Sequence, residues 1–397
     1  MEKSSHKDKG ALRVNDWWWS KAALLMGMIY LFTLRYSIPL RQFIPLSLLS
    51  LTTIVGFASF GYLVNDLFDI EKDAHAGKAN FLTGKSITFI AIIFFISIVF
   101  ISAPWVFLPK NRFSLGLIAI QLLLFALYSI SPVRLKERGM AGIITDALYA
   151  HSVPVFLAAY TYSLAAGVTF FTPDMIILFL WQFISGVRNI VLHQADDVDA
   201  DKKSGSRNFI SGLSQPQFAG LLKGLIVVDL ALCICLFGFL SFYNHLFLIC
   251  LAAIIVFVFA DAIQVKRITW IEFFETSLRY FPNNRYEKWL PPVILCSLTF
   301  LNPWFLLVMV LHLTIFNFDF YIQFADKIFG RYKSVSVKGK FITLRIFLSY
   351  PINNVLYYAF KVFSVDLKKR NISAGAFLLS KMGIKSTTKM NDQSFKS

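Results

Sequence analysis

At 397 residues, 56% of them hydrophobic and 42 of them Phe, with a mean hydropathy of +0.61, the chain is too apolar for a set of soluble domains. A net charge of +16 would suit nucleic acid, but its carriers are spread through short loops and a tail around apolar runs. Lipid head groups and topology account for that pattern, and no nucleic-acid partner is expected. The four cysteines, Cys233, Cys235, Cys250 and Cys296, lie in or beside apolar runs, which argues against a disulfide scaffold or a zinc site.

The fold class expected is therefore all-α: a polytopic membrane protein of about nine transmembrane helices. Runs of roughly 18 to 22 apolar residues are long enough to cross a hydrocarbon core of about 30 Å. They fall near 17-34, 43-64, 87-108, 113-131, 143-165, 173-193, 218-240, 243-260 and 290-318. Three parts follow: a cytoplasmic N-terminal segment over 1-16, a transmembrane domain over 17-318, and a basic extension over 319-397 that includes a further membrane-associated segment near 341-364. The first run lacks a small-residue cleavage site, so it is not a secretory signal, and Trp17-Trp18-Trp19 reads as an interfacial anchor. Loops after the odd-numbered spans carry only Arg35, Arg41, Lys110 and Arg112. With lysine and arginine concentrated on the other side, the N-terminus and the loops after spans two, four, six and eight face the cytoplasm, at the cell membrane. The 14 Lys/Arg beyond residue 320 fit that rule only if the chain enters the membrane again near 341-364.

Span two ends in an acidic stretch, with Gly56 and Gly61 allowing close helix packing before it. Asn65, Asp69 and Asp73 are four apart, so they stack on one face of a helical end. A second copy follows span six at a constant offset of 128 residues. Residues 65-86 and 193-214 share Asp69/Asp197, Asp73/Asp201, Gly77/Gly205, Asn80/Asn208, Phe81/Phe209, Gly84/Gly212 and Ser86/Ser214. Solvated helix ends are often acidic, but scattered solubilising charges have no reason to keep such spacing. The repeat implies two related four-helix halves with a ligand between them.

Each acidic stretch is followed by a basic loop, with Lys78 and Lys85 in the first and Lys202, Lys203 and Arg207 in the second. Lysine beside carboxylates suits a phosphate-bearing ligand, and positive-inside topology alone also places lysine there. Span four ends in Tyr128-Ser129-Ile130-Ser131-Pro132, after which Arg134, Lys136 and Arg138 sit at the membrane level of the acidic motifs. Asp146 and His151 lie among apolar residues of span five, where ionisable groups usually face an interior cavity. Span six carries Arg188, Asn189 and His193, the last equivalent to Asn65 and suited either to accept a proton or to hydrogen-bond a carboxylate. The aromatic, charged loop 261-289 is expected to lie on the membrane surface.

Carboxylates without cysteine favour a hard, oxygen-seeking ion such as Mg2+, which bridges carboxylate to phosphate. A diphosphate with an apolar body is the ligand expected beside Phe-rich helices. Asn65-x-x-x-Asp69-x-x-x-Asp73, Asp197-x-x-x-Asp201 and the stretch from Tyr128-Ser129 to Arg134-Leu135-Lys136 together resemble the UbiA superfamily of intramembrane prenyltransferases, over roughly residues 13 to 318. The resemblance implies nine helices around a central cavity, Mg2+ bound with a prenyl diphosphate, and transfer of the prenyl group to a small acceptor, aromatic or another lipid precursor. It also implies that Asp69, Asp73, Asp197 and Asp201 hold the metals, with Asn65 beside them. By the same resemblance Lys78, Arg134 and Lys136 stabilise the leaving group, and Tyr128 lies near the reacting end. Pro132 stands four after Tyr128, where some members carry lysine; the Pro-x-Arg-Leu-Lys form is similar to chlorophyll-synthase-type members.

A cation-coupled transporter is the main alternative, since it too has internal repeats and acids at membrane depth. Its acids are expected near the midplane, whereas these stand at span ends. A CDP-alcohol phosphotransferase would carry a longer Asp-Gly-x-x-Ala-Arg signature, and a catalytically dead scaffold would not be expected to keep every principal acid.

Overall fold

The computed structural model describes residues 14–75, 77, 80–203, 209–264, 285–317 and 320–321; at residues 15, 16, 75, 197–203 and 257–264 it describes the backbone alone. Among the described residues all regular structure is helical. Helix α1 covers residues 14–35 and is divided by a π turn at Trp18–Ala22. Next come α2 (Leu40–His75), α3 (Ile87–Ser102), α4 (Arg112–Ser129), α5 (Met140–Ala165, with a π turn at Leu148–Ser152) and α6 (Pro173–Lys203). The chain continues through α7 (Gln215–Ser241), α8 (Phe247–Gln264), α9 (Leu290–Leu301) and α10 (Phe305–Ile315).

Helices α2 to α7 are long and apolar enough to cross a bilayer, and the apolar parts of α8 and α10 are shorter. The expectation of nine similar spans needs correction at its end, because 290-318 is broken into α9 and α10. Pro303 is the cause: it lacks an N–H and disfavours a helical conformation at Asn302, which is extended. The freed Asn302 side chain then accepts from the Trp304 N–H and starts the next helix.

Every residue of α1 from Ala23 to Leu34 is buried, as expected for a helix that is apolar on all sides and runs through the bundle interior. It packs on α9, α5 and α2. Trp17 and Trp18, expected at the membrane surface, are corrected to core residues with 0% and 2% exposure. The Trp18 indole stacks on Phe316 and donates to the Ile315 carbonyl, so its polar edge is satisfied inside the protein.

The two-half pattern is legible in how equivalent elements begin. Ser86 caps α3 by accepting from the Phe89 N–H, and its equivalent Ser214 starts α7 with its own N–H donating to Gln217. Leu82 and its equivalent Ile210 are both buried just before these caps. Where α2 meets its neighbours, a Cβ on Gly56 would stand 2.6 Å from the Ile101 nitrogen, and one on Gly61 would strike the Phe125 ring. These two glycines therefore set how closely α2 approaches α3 and α4.

The bundle interior also carries charge. Arg188 of α6 pairs with Asp229 of α7 at 2.9 Å, and the Ser185 hydroxyl donates to the other Asp229 oxygen at 2.6 Å. Both charged side chains are buried, so removing either one alone takes a directly bonded opposite charge from the other. At the end of the bundle away from the acidic motifs, Arg35 pairs with Asp174 and stacks over the Tyr243 ring at 3.4 Å.

Candidate active site

The last turns of α2 leave the apolar part of the bundle carrying Asn65, Asp69, Lys72 and Asp73. Facing them is the link between α4 and α5, where Ser131-Pro132 is cis, Arg134 has φ +38 and a short 3-10 turn covers Leu135–Glu137. Gly142 in the first turn of α5 lets this link lie close: a Cβ there would stand 2.7 Å from the Leu135 carbonyl oxygen. The result is a fixed platform that aims two cations at α2.

Asp69 receives both of them. Arg134 Nη2 donates to its Oδ1 at 2.5 Å, and Lys136 Nζ donates to Oδ2 at 2.6 Å and to Asn65 Oδ1 at 2.9 Å. Arg134 is braced by bonds to the Phe68 carbonyl and to Glu137, and Glu137 also accepts from Lys72. The side chains of Asp69, Arg134 and Lys136 are only 13%, 15% and 13% exposed, so solvent screens them less than an open surface pair. Burial pulls the Arg134 guanidinium down, but its bonds to Glu137 and its attraction to Asp69 prevail and hold it above its ordinary value. Burial also lowers the Lys136 ammonium, against the pull of Asp69. Burial by itself would raise the Glu137 carboxyl, yet the bonds from Lys72 and Arg134 leave it below its ordinary value.

Asp73 is held differently. Asn80 Nδ2 donates to Asp73 Oδ2 at 2.9 Å and to the Asp66 carbonyl at 2.8 Å, while Asn80 Oδ1 accepts from the Leu82 N–H. This side chain folds the basic loop back onto the acidic helix end. Asn80 was legible only as half of the Asn80/Asn208 repeat, and Glu137 and Lys72 carried no motif signal at all.

Of the residues expected from the sequence, Asn65, Asp69, Arg134 and Lys136 form one bonded cluster, and Asp73 joins the same helix end through Asn80. The Tyr128 ring lies 4.9 Å from that of Tyr149, whose hydroxyl donates to Asp146 at 2.6 Å. Asp146 is thus a buried acceptor beside Tyr128. His193 is an exposed residue on α6, and the backbone of 197 and 201 continues that helix, with His193, Asp197 and Asp201 at one-face spacing. The side chains of Asp197 and Asp201, and Lys78 altogether, lie outside what is described, as does most of loop 261-289 and all of 341-364. Among the described residues no three His, Cys, Asp or Glu side chains form a metal-ligating group. The first-half donors are nonetheless all oxygens on one helical face, which fits a hard divalent cation and not a thiolate-seeking one.

Comparisons with known proteins bear on the family. The model of the UbiA prenyltransferase family matches residues 22–270, more than half of the chain. No curated protein matches. Among solved structures, a UbiA homolog from Archaeoglobus fulgidus bound to DMAPP and Mg2+ is 14% identical, covering 74% of this chain and 99% of its own, with a TM-score of 0.48. A UbiA homolog from Aeropyrum pernix K1 is also 14% identical, covering 70% and 96% with a TM-score of 0.47. A digeranylgeranylglyceryl phosphate synthase is 18% identical, covering 72% and 94% with a TM-score of 0.46. With its repeated acidic helix ends, its all-helical membrane architecture and a family match that runs from α1 beyond α8, the chain belongs to the UbiA prenyltransferase family.

Proposed function

We propose that the protein is a Mg2+-dependent prenyltransferase that moves a prenyl group from a prenyl diphosphate to a small aromatic or lipid-precursor acceptor, with the site on the cytoplasmic side of the cell membrane. The observation that carries this reading is the paired cation platform opposite the acidic helix end: Arg134 and Lys136 both reach Asp69. Such a set binds a ligand of mixed charge, in which a diphosphate takes the cations and its counter-ion takes the carboxylates. In the proposed reaction Asp69 and Asp73, with Asp197 and Asp201 from the second half, hold Mg2+, and Asn65 orients Lys136. Arg134 and Lys136 then turn to the diphosphate and stabilise its charge as the bond to the prenyl carbon breaks. Mg2+ when bound neutralises part of that charge. Lys78 is proposed to add to the same anion contact. The ring of Tyr128, held edge-to-face against Tyr149, is proposed to offer an aromatic face that favours positive charge on the prenyl carbon.

The parts proposed are the segment 1-16, the prenyltransferase domain 17-318 and the basic extension 319-397. Family membership favours prenyl transfer over a cation-coupled transporter. Incubating the purified protein with Mg2+, labelled prenyl diphosphates of several lengths and a lipid extract tests the proposal. A labelled lipid product formed together with released diphosphate is expected; ion flux in proteoliposomes without any such product would overturn it.

A further inference from the structure

One carboxylate at membrane depth takes no part in the mechanism above. Asp146 stands in the first part of α5, one turn beyond Gly142 on the same face, so it lies about 6 Å deeper than the link against which Gly142 packs. It is only 8% exposed. Its Oδ1 accepts from the Tyr149 hydroxyl at 2.6 Å. Its Oδ2 accepts nothing among the described residues and is not sealed off from its surroundings. Tyr149 itself is fixed from two neighbouring directions. It lies in the π turn at Leu148–Ser152, a local widening that often marks functional positions, and its carbonyl accepts from Gln121 Nε2 of α4 at 2.7 Å. Its ring meets those of Phe125 at 5.0 Å and Tyr128 at 4.9 Å. The bond from this fixed hydroxyl sets the direction of the Asp146 carboxylate. Asp146 and Asp69 both lie within electrostatic reach of Tyr128.

Prenyl transfer leaves a proton to be placed, whatever the acceptor. The bond from the prenyl carbon to the diphosphate oxygen breaks and its electron pair leaves with the diphosphate. A new bond joins the prenyl carbon to the acceptor, and the acceptor gives up one proton. A side chain that takes this proton must stand near the reacting end and have an oxygen or nitrogen not already held by a cation. Asp69 does not qualify, because Arg134 bonds one of its oxygens and Lys136 the other. His151 does not qualify either: it is turned to Asn189 of α6 at 3.4 Å and lies within electrostatic reach of the cations Lys21 and Arg188. Asp146 meets both conditions, since it stands beside Tyr128 and its partner is an uncharged hydroxyl. An ionisable group at this depth is expensive to keep, and a hydrogen bond to one tyrosine does not require a carboxylate.

We propose that Asp146 takes up the acceptor's proton at Oδ2, with Tyr149 as the residue that positions the carboxylate. The proposal rests on the prenyltransferase reading and adds a proton acceptor to it. Full-length, detergent-purified protein is given Mg2+, labelled geranyl diphosphate and a total membrane lipid extract, and both the labelled lipid product and geranyl diphosphate binding are measured. Asp146→Asn keeps the size of the side chain and still accepts from Tyr149, but it takes no proton. Its product formation is expected to fall by about 100-fold or more while geranyl diphosphate binding stays within about twofold of wild type. Asp146→Glu restores the carboxylate and is expected to outpace Asp146→Asn by about tenfold or more. Tyr149→Phe leaves the carboxylate without its guide and is expected to lose only about 5- to 15-fold. Near wild-type product formation by Asp146→Asn would overturn the proposal. So would equal rates in the Asn and Glu variants, since the carboxylate would then not be what matters. Should Asp146→Asn fail to fold, wild-type protein treated with dicyclohexylcarbodiimide, which modifies carboxyl groups at membrane depth, decides the matter. An adduct at Asp146 that stops product formation and spares geranyl diphosphate binding supports the proposal; no adduct there, or an adduct that leaves product formation intact, overturns it. Wild-type protein that forms no labelled product would instead overturn the prenyltransferase reading, and the proposal with it.

Discussion

Single residues at the acidic helix end do more than supply charge. Asn80 makes three hydrogen bonds: two tie the loop after α2 to Asp73 and to the Asp66 carbonyl, and the third accepts from the Leu82 N–H within that loop. Asn80→Ala strands those groups, and thermal unfolding in detergent is expected to report a loss of about 1–3 kcal/mol. The bond between Asn80 and Asp73 predicts a weaker response to Mg2+ in the same variant. Glu137 makes a second case. Its folded value lies below the ordinary 4.5, so its stabilising pairs with Lys72 and Arg134 are complete above that pH and are lost as the pH falls through the lower, folded value. Melting temperature measured against pH is expected to separate wild type from Glu137→Gln at neutral pH and to bring the two together in acid. A constant difference at every pH would contradict the pairing. Of these residues, Asn65, Asp69 and Asp73 were legible from their spacing. Glu137 was not, because its ion pair with Lys72 joins a helix end to a link far away in sequence and leaves no periodic trace.

Helices show where sequence periodicity serves well and where it does not. Apolar runs located the long elements, and the offset of 128 residues paired Ser86 with Ser214, which the structure places at the starts of two helices. Hydropathy could not tell lipid-facing from protein-facing surface, so Trp17 and Trp18 read as surface anchors although α1 is enclosed on every side. Nor did it reveal the break at Pro303, since the residues on both sides remain apolar. The link between α6 and α7 through Arg188 and Asp229 depends on pairing across 41 residues and was visible only as two isolated charges. Asp229→Leu takes from the buried Arg188 the carboxylate it bonds at 2.9 Å and is expected to destabilise the protein by about 3–5 kcal/mol, whereas Arg188→Met combined with Asp229→Leu should recover most of that loss. Unfolding of the two variants and the double variant measures the coupling; equal loss in single and double variants would mean that the pair itself is not what holds α6 to α7.

For the whole molecule, the repeat places one acidic helix end in each half, and the interior charges lie on the lines where helices meet. Family and membrane architecture were legible because both depend on composition and repeated spacing. The cation platform needed the structure, since its reach toward Asp69 follows from the turn of the chain at Arg134 and from the close approach that Gly142 permits. The central claim is that both acidic helix ends serve one Mg2+-dependent reaction, and release of diphosphate from a labelled prenyl diphosphate by purified wild type, Asp69→Ala and Asp197→Ala tests it most directly. Release by the wild-type protein that requires Mg2+ and falls by at least about 100-fold in each folded variant is the predicted result. Turnover near the wild-type rate in both variants would contradict it.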